Sequence, residues 1–213
     1  MTIHKASAGF FAALSLIATA ACAEPARIVA FGDSLIHGFG LIQGQGLVPQ
    51  LNAWLESAGI EAVVENAGVS GDTTAGGAAR IEWTLEPSPD ALIVLLGGND
   101  LLRGIDPAES RRNLDRILGA AVSRGINVLL VGHEAPTNFG MEYKLEFEAM
   151  YAELADLHGA VLFDRVFGPL DALGDRTQVR LKYMQADGLH PNQYGVAAIV
   201  EELGPLVAKL VEQ

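Results

Sequence analysis

Five short, continuously apolar runs alternate along the chain with longer amphipathic stretches, and this alternation restricts the fold more than any other feature. The runs Arg27–Phe31, Ala62–Glu65, Ala91–Leu96, Ile126–Val131 and Ala160–Phe163 are rich in Val, Ile and Leu. Runs of that kind fit strands covered on both faces rather than half-exposed ones. Between them, helices are expected at about Leu47–Ala58, Thr74–Leu85, Pro107–Arg124, Glu142–His158 and Gln193–Glu212. Pro107 suits a first helical turn, with Asp106 as its N-cap. Gly59, Gly125 and Gly159 each close a helix just before a strand, where a left-handed residue costs least as glycine. Five strand–helix units imply a parallel five-stranded sheet in a three-layer α/β/α sandwich with right-handed crossovers. No internal repeat, linker or second domain interrupts residues 24–213.

The first residues follow another pattern. Lys5 lies in a short basic start, the run from Phe10 to Ala21 is largely apolar, and Ala21-Cys22-Ala23 offers a small-x-small cleavage site. The run is too short to span a bilayer, so residues 1–23 are expected to be a signal peptide cut after Ala23. The alternatives are an uncleaved anchor, or a lipoprotein that keeps Cys22 as an acylated first residue. For the latter, Thr19 stands where such signals usually carry Leu. The expected location is the periplasm or the exterior, without stable membrane insertion after cleavage. Cys22 is the chain's single cysteine, so cleavage would leave no thiol and no disulfide. A net charge of −12 argues against nucleic acid or an anionic membrane surface as partner, since both require basic patches.

Parallel α/β sheets bind ligands beyond the carboxyl ends of their strands, so chemistry should fall just after a strand. Four loops meet that test. Phe31-Gly32-Asp33-Ser34-Leu35 follows the first strand, where a serine can present its hydroxyl at a helix entry. Asn66-Ala67-Gly68-Val69-Ser70-Gly71-Asp72-Thr73 follows the second, with Gly71 placed to bring a bare N–H close to a ligand. Gly97-Gly98-Asn99-Asp100 follows the third; Asn99 could aim its amide at an oxyanion, and Asp100 is expected to cap the chain or fix the loop. Asp187-Gly188-Leu189-His190-Pro191-Asn192 precedes the last helix, and its spacing lets the carboxylate reach Nδ1 of the imidazole. Taken singly, each could be an ordinary N-cap, turn or loop. Together they supply a nucleophile (Ser34), oxyanion donors (Ser34, Gly71, Asn99) and a base with its orienter (His190, Asp187), the parts that acyl transfer needs.

These four blocks, in this order, resemble those of the SGNH (GDSL-type) hydrolases, and the likeness runs from about Ala26 to Val211. Within that family, Val69-Ser70-Gly71-Asp72-Thr73, Leu102-Arg103-Gly104 and Ala135-Pro136-Thr137-Asn138-Phe139-Gly140 look like the bacterial periplasmic acyl-CoA thioesterase/lysophospholipase/arylesterase group. The resemblance implies a flavodoxin-like fold and catalytic Ser34, Asp187 and His190. It also implies an oxyanion hole from Ser34, Gly71 and Asn99, and hydrolysis of a small-molecule acyl ester or thioester. No metal or organic cofactor is expected. A longer glycine-rich stretch from Gly38 to Gly46 departs from the family pattern.

Phe39, Leu41, Pro136 and Phe139 are expected to bind substrate, with Ile42, Leu47 and Met141 also available to an apolar rim. Met141, Tyr143 and Phe147 are read as core or groove-lining. Other signals fail. Ala121-Val122-Ser123-Arg124-Gly125 leads from a helix into a strand, whereas a nucleophile elbow needs strand, turn, helix. Gly44-Gln45-Gly46 lacks the third glycine of a dinucleotide loop, with Pro49 in its place. A carboxylate with one histidine is a poor zinc set. His158 is expected at the surface, and His37 and His133 in structural roles, although His133 follows a strand and could line the pocket. A carbohydrate O-acetyl esterase or an acyltransferase on the same fold, and a binding module without chemistry, remain as alternatives.

Overall fold

The computed structural model describes residues 24–212; the expected signal peptide lies outside them. The chain runs β1 (Ala26–Gly32), α1 (Ser34–His37), α2 (Leu47–Ser57), β2 (Ala62–Gly68), α3 (Thr74–Thr84), β3 (Ala91–Leu95), α4 (Gly98–Arg103) and α5 (Pro107–Val122). It continues through β4 (Asn127–Val131), α6 (Met141–His158), β5 (Val161–Phe163), α7 (Gly168–Asp171), α8 (Arg176–Tyr183) and α9 (Gln193–Val211). All strands pair in parallel in the order β2-β1-β3-β4-β5. Helices cover both faces, which gives the expected three layers.

Strand periodicity explains why the central runs are apolar throughout. Ile28, Ala30, Ile93, Leu95, Leu129 and Val131 face a core shared with α2 and α9. Their neighbours Val29, Phe31, Leu92, Val94, Val128 and Leu130 face a second core built with α3, α5 and α6. Successive side chains point to opposite faces, so a strand covered on both sides has no polar position to spare.

The edge strand departs from this expectation. Only Val64 of β2 is buried, and Val63 is exposed. Asn52 on α2 answers the edge backbone, accepting from Val64 N at 2.8 Å and donating to Val64 O at 2.9 Å. That pairing blunts an edge that could otherwise recruit another strand.

Local signals were well placed at the helix ends. Asp106 caps α5 by accepting from Ala108 N at 2.8 Å. Gly125 and Gly159 take φ of 72° and 64° as their helices end. The order 2-1-3-4-5 makes β1 the strand at which the chain changes direction across the sheet, and the crevice at such a switch point is where ligands settle. Ser34 stands at the exit of β1 and Asn99 at the exit of β3, one on each side of that crevice.

Candidate active site

Gly32 ends β1 in register with Gly68 of β2 and Leu95 of β3, so three strand exits share one rim. A Cβ at Gly32 would collide with the carbonyl of Leu95 and the side chain of Ile36, which is why the turn into α1 needs glycine. Asp33 then caps α1, its Oδ1 accepting from Leu35 N at 3.0 Å, and Ser34 becomes the first helical residue.

The Ser34 hydroxyl oxygen lies 2.8 Å from His190 Nε2. His190 Nδ1 is 2.7 Å from Asp187 Oδ2, while Asp187 Oδ1 accepts from the backbone N–H groups of Leu189 (2.9 Å) and His190 (3.1 Å). Burial pushes the Asp187 carboxyl up. The hydrogen bonds from His190, Leu189 N and His190 N, with the imidazolium charge, outweigh that and hold it at about 2. The carboxyl is therefore held in its ionised form.

The histidine turn is itself braced. Gln185 N donates to His190 O at 2.8 Å, and Gln185 Nε2 donates to Phe39 O at 2.8 Å and Pro191 O at 3.0 Å. The Phe39 ring packs on the imidazole with centroids 4.8 Å apart. Gln185 thus joins the histidine turn to the loop after α1. Nothing in the sequence marked it.

Asn99 is the second residue of α4, and its Nδ2 donates a long hydrogen bond of 3.4 Å to Asp33 Oδ2. Asp33 is 2 % exposed, and burial raises its carboxyl to about 6 against the opposing pull of Leu35 N–H, the His190 charge and Asn99. Asp100 fixes the loop, as expected. Fully buried, it accepts from Thr74 N (2.9 Å), Thr74 Oγ1 (2.5 Å) and Ser110 Oγ (2.9 Å). Those bonds tie the start of α3, just after Gly71, to the helix that carries Asn99.

A cavity of about 450 Å³ opens over these groups, and Ser34, Gly71, Asn99 and His190 all line it. Of the four expected substrate contacts, Phe39 and Pro136 line it and Leu41 and Phe139 do not. Leu41 turns inward after Gly40 and packs against the α2/α9 core. Phe139 lies over Gly104 and against Tyr143, with ring centroids 5.1 Å apart. Leu47 is core, Phe147 is fully buried, and Ile42 and Met141 are exposed. Leu35, Leu101, Leu102, Phe167 and Leu189 supply apolar wall that sequence reasoning had not named.

The histidines divide differently from expectation. His37 is exposed. His158 is largely covered and pairs with Asp115 at 2.7 Å across α5 and α6. His133 lines the cavity at 5 % exposure, its Nε2 has no hydrogen-bond partner, and burial lowers it to about 4. Among the described residues, no group of three or more His, Cys, Asp or Glu is placed to hold a metal ion.

Comparison with known proteins settles the family. The sequence pattern of the GDSL-like lipase/acylhydrolase family matches residues 30–198. The chain belongs to that family. It is similar to esterase TesA of Pseudomonas aeruginosa, with 36% identity over 200 residues, 93% of this chain and 95% of the relative. It is also similar to thioesterase 1/protease 1/lysophospholipase L1 of Escherichia coli K12, with 31% identity over 185 residues and 84% of each chain. Among solved structures, AlinE4, an SGNH-hydrolase family esterase, superposes with a TM-score of 0.71 at 43% identity, covering 90% of this chain and 99% of that one. This family member is a carboxylic ester hydrolase.

Proposed function

We propose that the protein hydrolyses carboxylic esters and thioesters through an acyl-Ser34 intermediate, outside the cytoplasm. The observation that carries the reading is the unbroken chain from Ser34 Oγ through His190 to Asp187, at 2.8 and 2.7 Å, on the wall of an apolar cavity.

Ser34 Oγ attacks the acyl carbonyl as His190 Nε2 takes its proton. The ionised Asp187 holds the imidazole in the tautomer that can accept at Nε2 and stabilises the imidazolium that forms. Charge developing on the carbonyl oxygen meets the Ser34 and Gly71 N–H groups and the Asn99 amide. His190 returns the proton to the departing alcohol or thiol. Water then attacks the acyl-enzyme with His190 again as base, and Ser34 is regenerated.

Leu35, Phe39, Leu101, Leu102, Pro136 and Leu189 give the cavity an acyl-binding character. Export follows from residues 1–23 read as a signal peptide; no helix among the described residues is long and apolar enough to cross a membrane. The chain from Glu24 onward should be assayed on p-nitrophenyl esters and acyl-CoA thioesters of increasing length, beside Ser34→Ala. Activity should climb beyond acetyl, by up to ~0.8 kcal/mol per buried CH₂. Ser34→Ala should lose both activity and fluorophosphonate labelling while staying folded. A folded Ser34→Ala that is still labelled overturns the nucleophile, and acetylated sugars as best substrates would turn the reading to a deacetylase.

A further inference from the structure

Arg80 takes no part in the proposed chemistry, yet each of its three guanidinium nitrogens donates a hydrogen bond close to the reacting groups. It projects from α3 toward the exits of β1 and β2. Nη2 donates to Gly32 O and Nη1 to Ala67 O, each at 3.0 Å. Nε donates to Asp72 Oδ2 at 2.8 Å. Cζ of the group lies 3.9 Å from the ring centroid of Phe31, which is fully buried in β1. Gly32 O also accepts from Val69 N at 3.0 Å, so it is held from two directions.

All three acceptors are close in the chain to a reacting group. Gly32 stands two residues before Ser34, Ala67 four before Gly71, and Asp72 directly after Gly71. A planar fork of donors fixes direction as well as distance, which a lysine ammonium cannot do. We infer that Arg80 is a positioning residue that sets the Ser34 hydroxyl and the Gly71 N–H at their working separation by clamping the strand exits that carry them. This rests on the catalytic roles proposed for Ser34 and Gly71. The Asp72 arm has a second lock: a Cβ on Gly76 would collide with the Asp72 carboxylate, so glycine there leaves room for the carboxylate that Arg80 grips.

The test compares Arg80→Lys and Arg80→Ala on a p-nitrophenyl ester, counting folded active enzyme by fluorophosphonate titration. A misplacement on the ångström scale acts on the transition state, so kcat should fall roughly 10–100-fold with KM within about twofold. Lysine should be nearly as impaired as alanine, and added guanidinium ion should restore part of kcat in Arg80→Ala alone. Wild-type kcat in the folded fraction, a loss confined to KM, or full activity in Arg80→Lys would each overturn the inference. Where neither variant folds, Asp72→Ala carries the test: it removes the acceptor of Nε, leaves both carbonyl bonds in place and should still lower kcat, and an unchanged kcat refutes the clamp. Ser34→Ala retaining activity would instead sink the catalytic reading, so the two failures are distinguishable.

Discussion

Replacing His133 by leucine should make the protein more resistant to acid, by an amount that can be worked out beforehand. The imidazole is 5 % exposed, its Nε2 meets no partner, and burial takes it from the ordinary 6.5 to about 4. Above pH 6.5 the ring is neutral whether the chain is folded or not, and titration costs nothing. Between 6.5 and 4 the unfolded chain binds a proton that the folded chain refuses, so stability falls with pH. At pH 4.5 that loss amounts to roughly 2–3 kcal/mol, most of its full extent. Leucine removes this loss, and it also removes an unpaired buried nitrogen, worth roughly 1–3 kcal/mol at any pH. Asp33 slopes the other way: its raised carboxyl favours the folded state below its ordinary 3.8, and that advantage disappears as pH rises through about 6. In the wild type the two slopes partly cancel; in His133→Leu that of Asp33 stands alone. Urea unfolding of both proteins at pH 8 and pH 4.5 measures the difference of differences. The variant should gain roughly 2–3 kcal/mol more at pH 4.5 than at pH 8. Parallel pH dependence in the two proteins would mean that His133 accepts a proton in the folded state, and the reasoning from burial would fall.

Asn99→Ala should lower kcat by roughly 10²–10³ with little change in KM, since an oxyanion donor acts on the transition state; a variant that loses thermal stability but keeps kcat would remove Asn99 from the mechanism. Gly68→Ala should cost several times the ~1 kcal/mol of a typical substitution. Its Cβ would stand 2.8 Å from the carbonyl carbon of Ile36 and 2.9 Å from Asp33 O, both backbone, so β2 and α1 must part. Thermal unfolding reads the stability loss, and ester hydrolysis should fall with it as Ser34 shifts; an unaltered Tm would show that the strand exit yields freely.

The strands were legible because burial on both faces leaves a local trace, an unbroken apolar run, and the central three carry it. The edge strand β2 was found for its valines, yet its exposed Val63 and the Asn52 bonds that blunt it depend on a helix elsewhere in the chain. Helices α1, α4, α7 and α8 escaped because they are short, and α8 buries no residue to mark a period. The histidine turn was readable for the same reason as the central strands: Asp187 and His190 meet within a single turn, so spacing alone constrains their geometry. Leu41 and Phe139 were placed by apolar character near the right loops, and character says nothing about direction. The turn at Gly40 sends one side chain to the core, and the loop after β4 lays the other on Gly104.

The partners that the sequence concealed have a common character. Asp33, Arg80, Asp100 and Gln185 are polar residues with partners on other elements, 26 residues away for Asp100 and Thr74, 48 for Arg80 and Gly32, 66 for Asp33 and Asn99, and 146 for Gln185 and Phe39. Read locally, Asp33 and Asp100 are loop acids and Arg80 is a helix-surface cation. Only the parallel sheet, by bringing the exits of β1, β2 and β3 into one register, turns them into a frame beneath the reacting groups. Such a frame has to be polar, because backbone carbonyls and N–H groups at strand ends run out of ladder partners where the chain must turn. Arg80 answers the carbonyls of Gly32 and Ala67, Asp100 the N–H at the start of α3, and Gln185 one carbonyl of the histidine turn and one of the loop after α1. The satisfaction of those backbone groups and the alignment of Ser34, Gly71, Asn99 and His190 are therefore one structural problem with one solution, and a substitution in the frame should disturb both together.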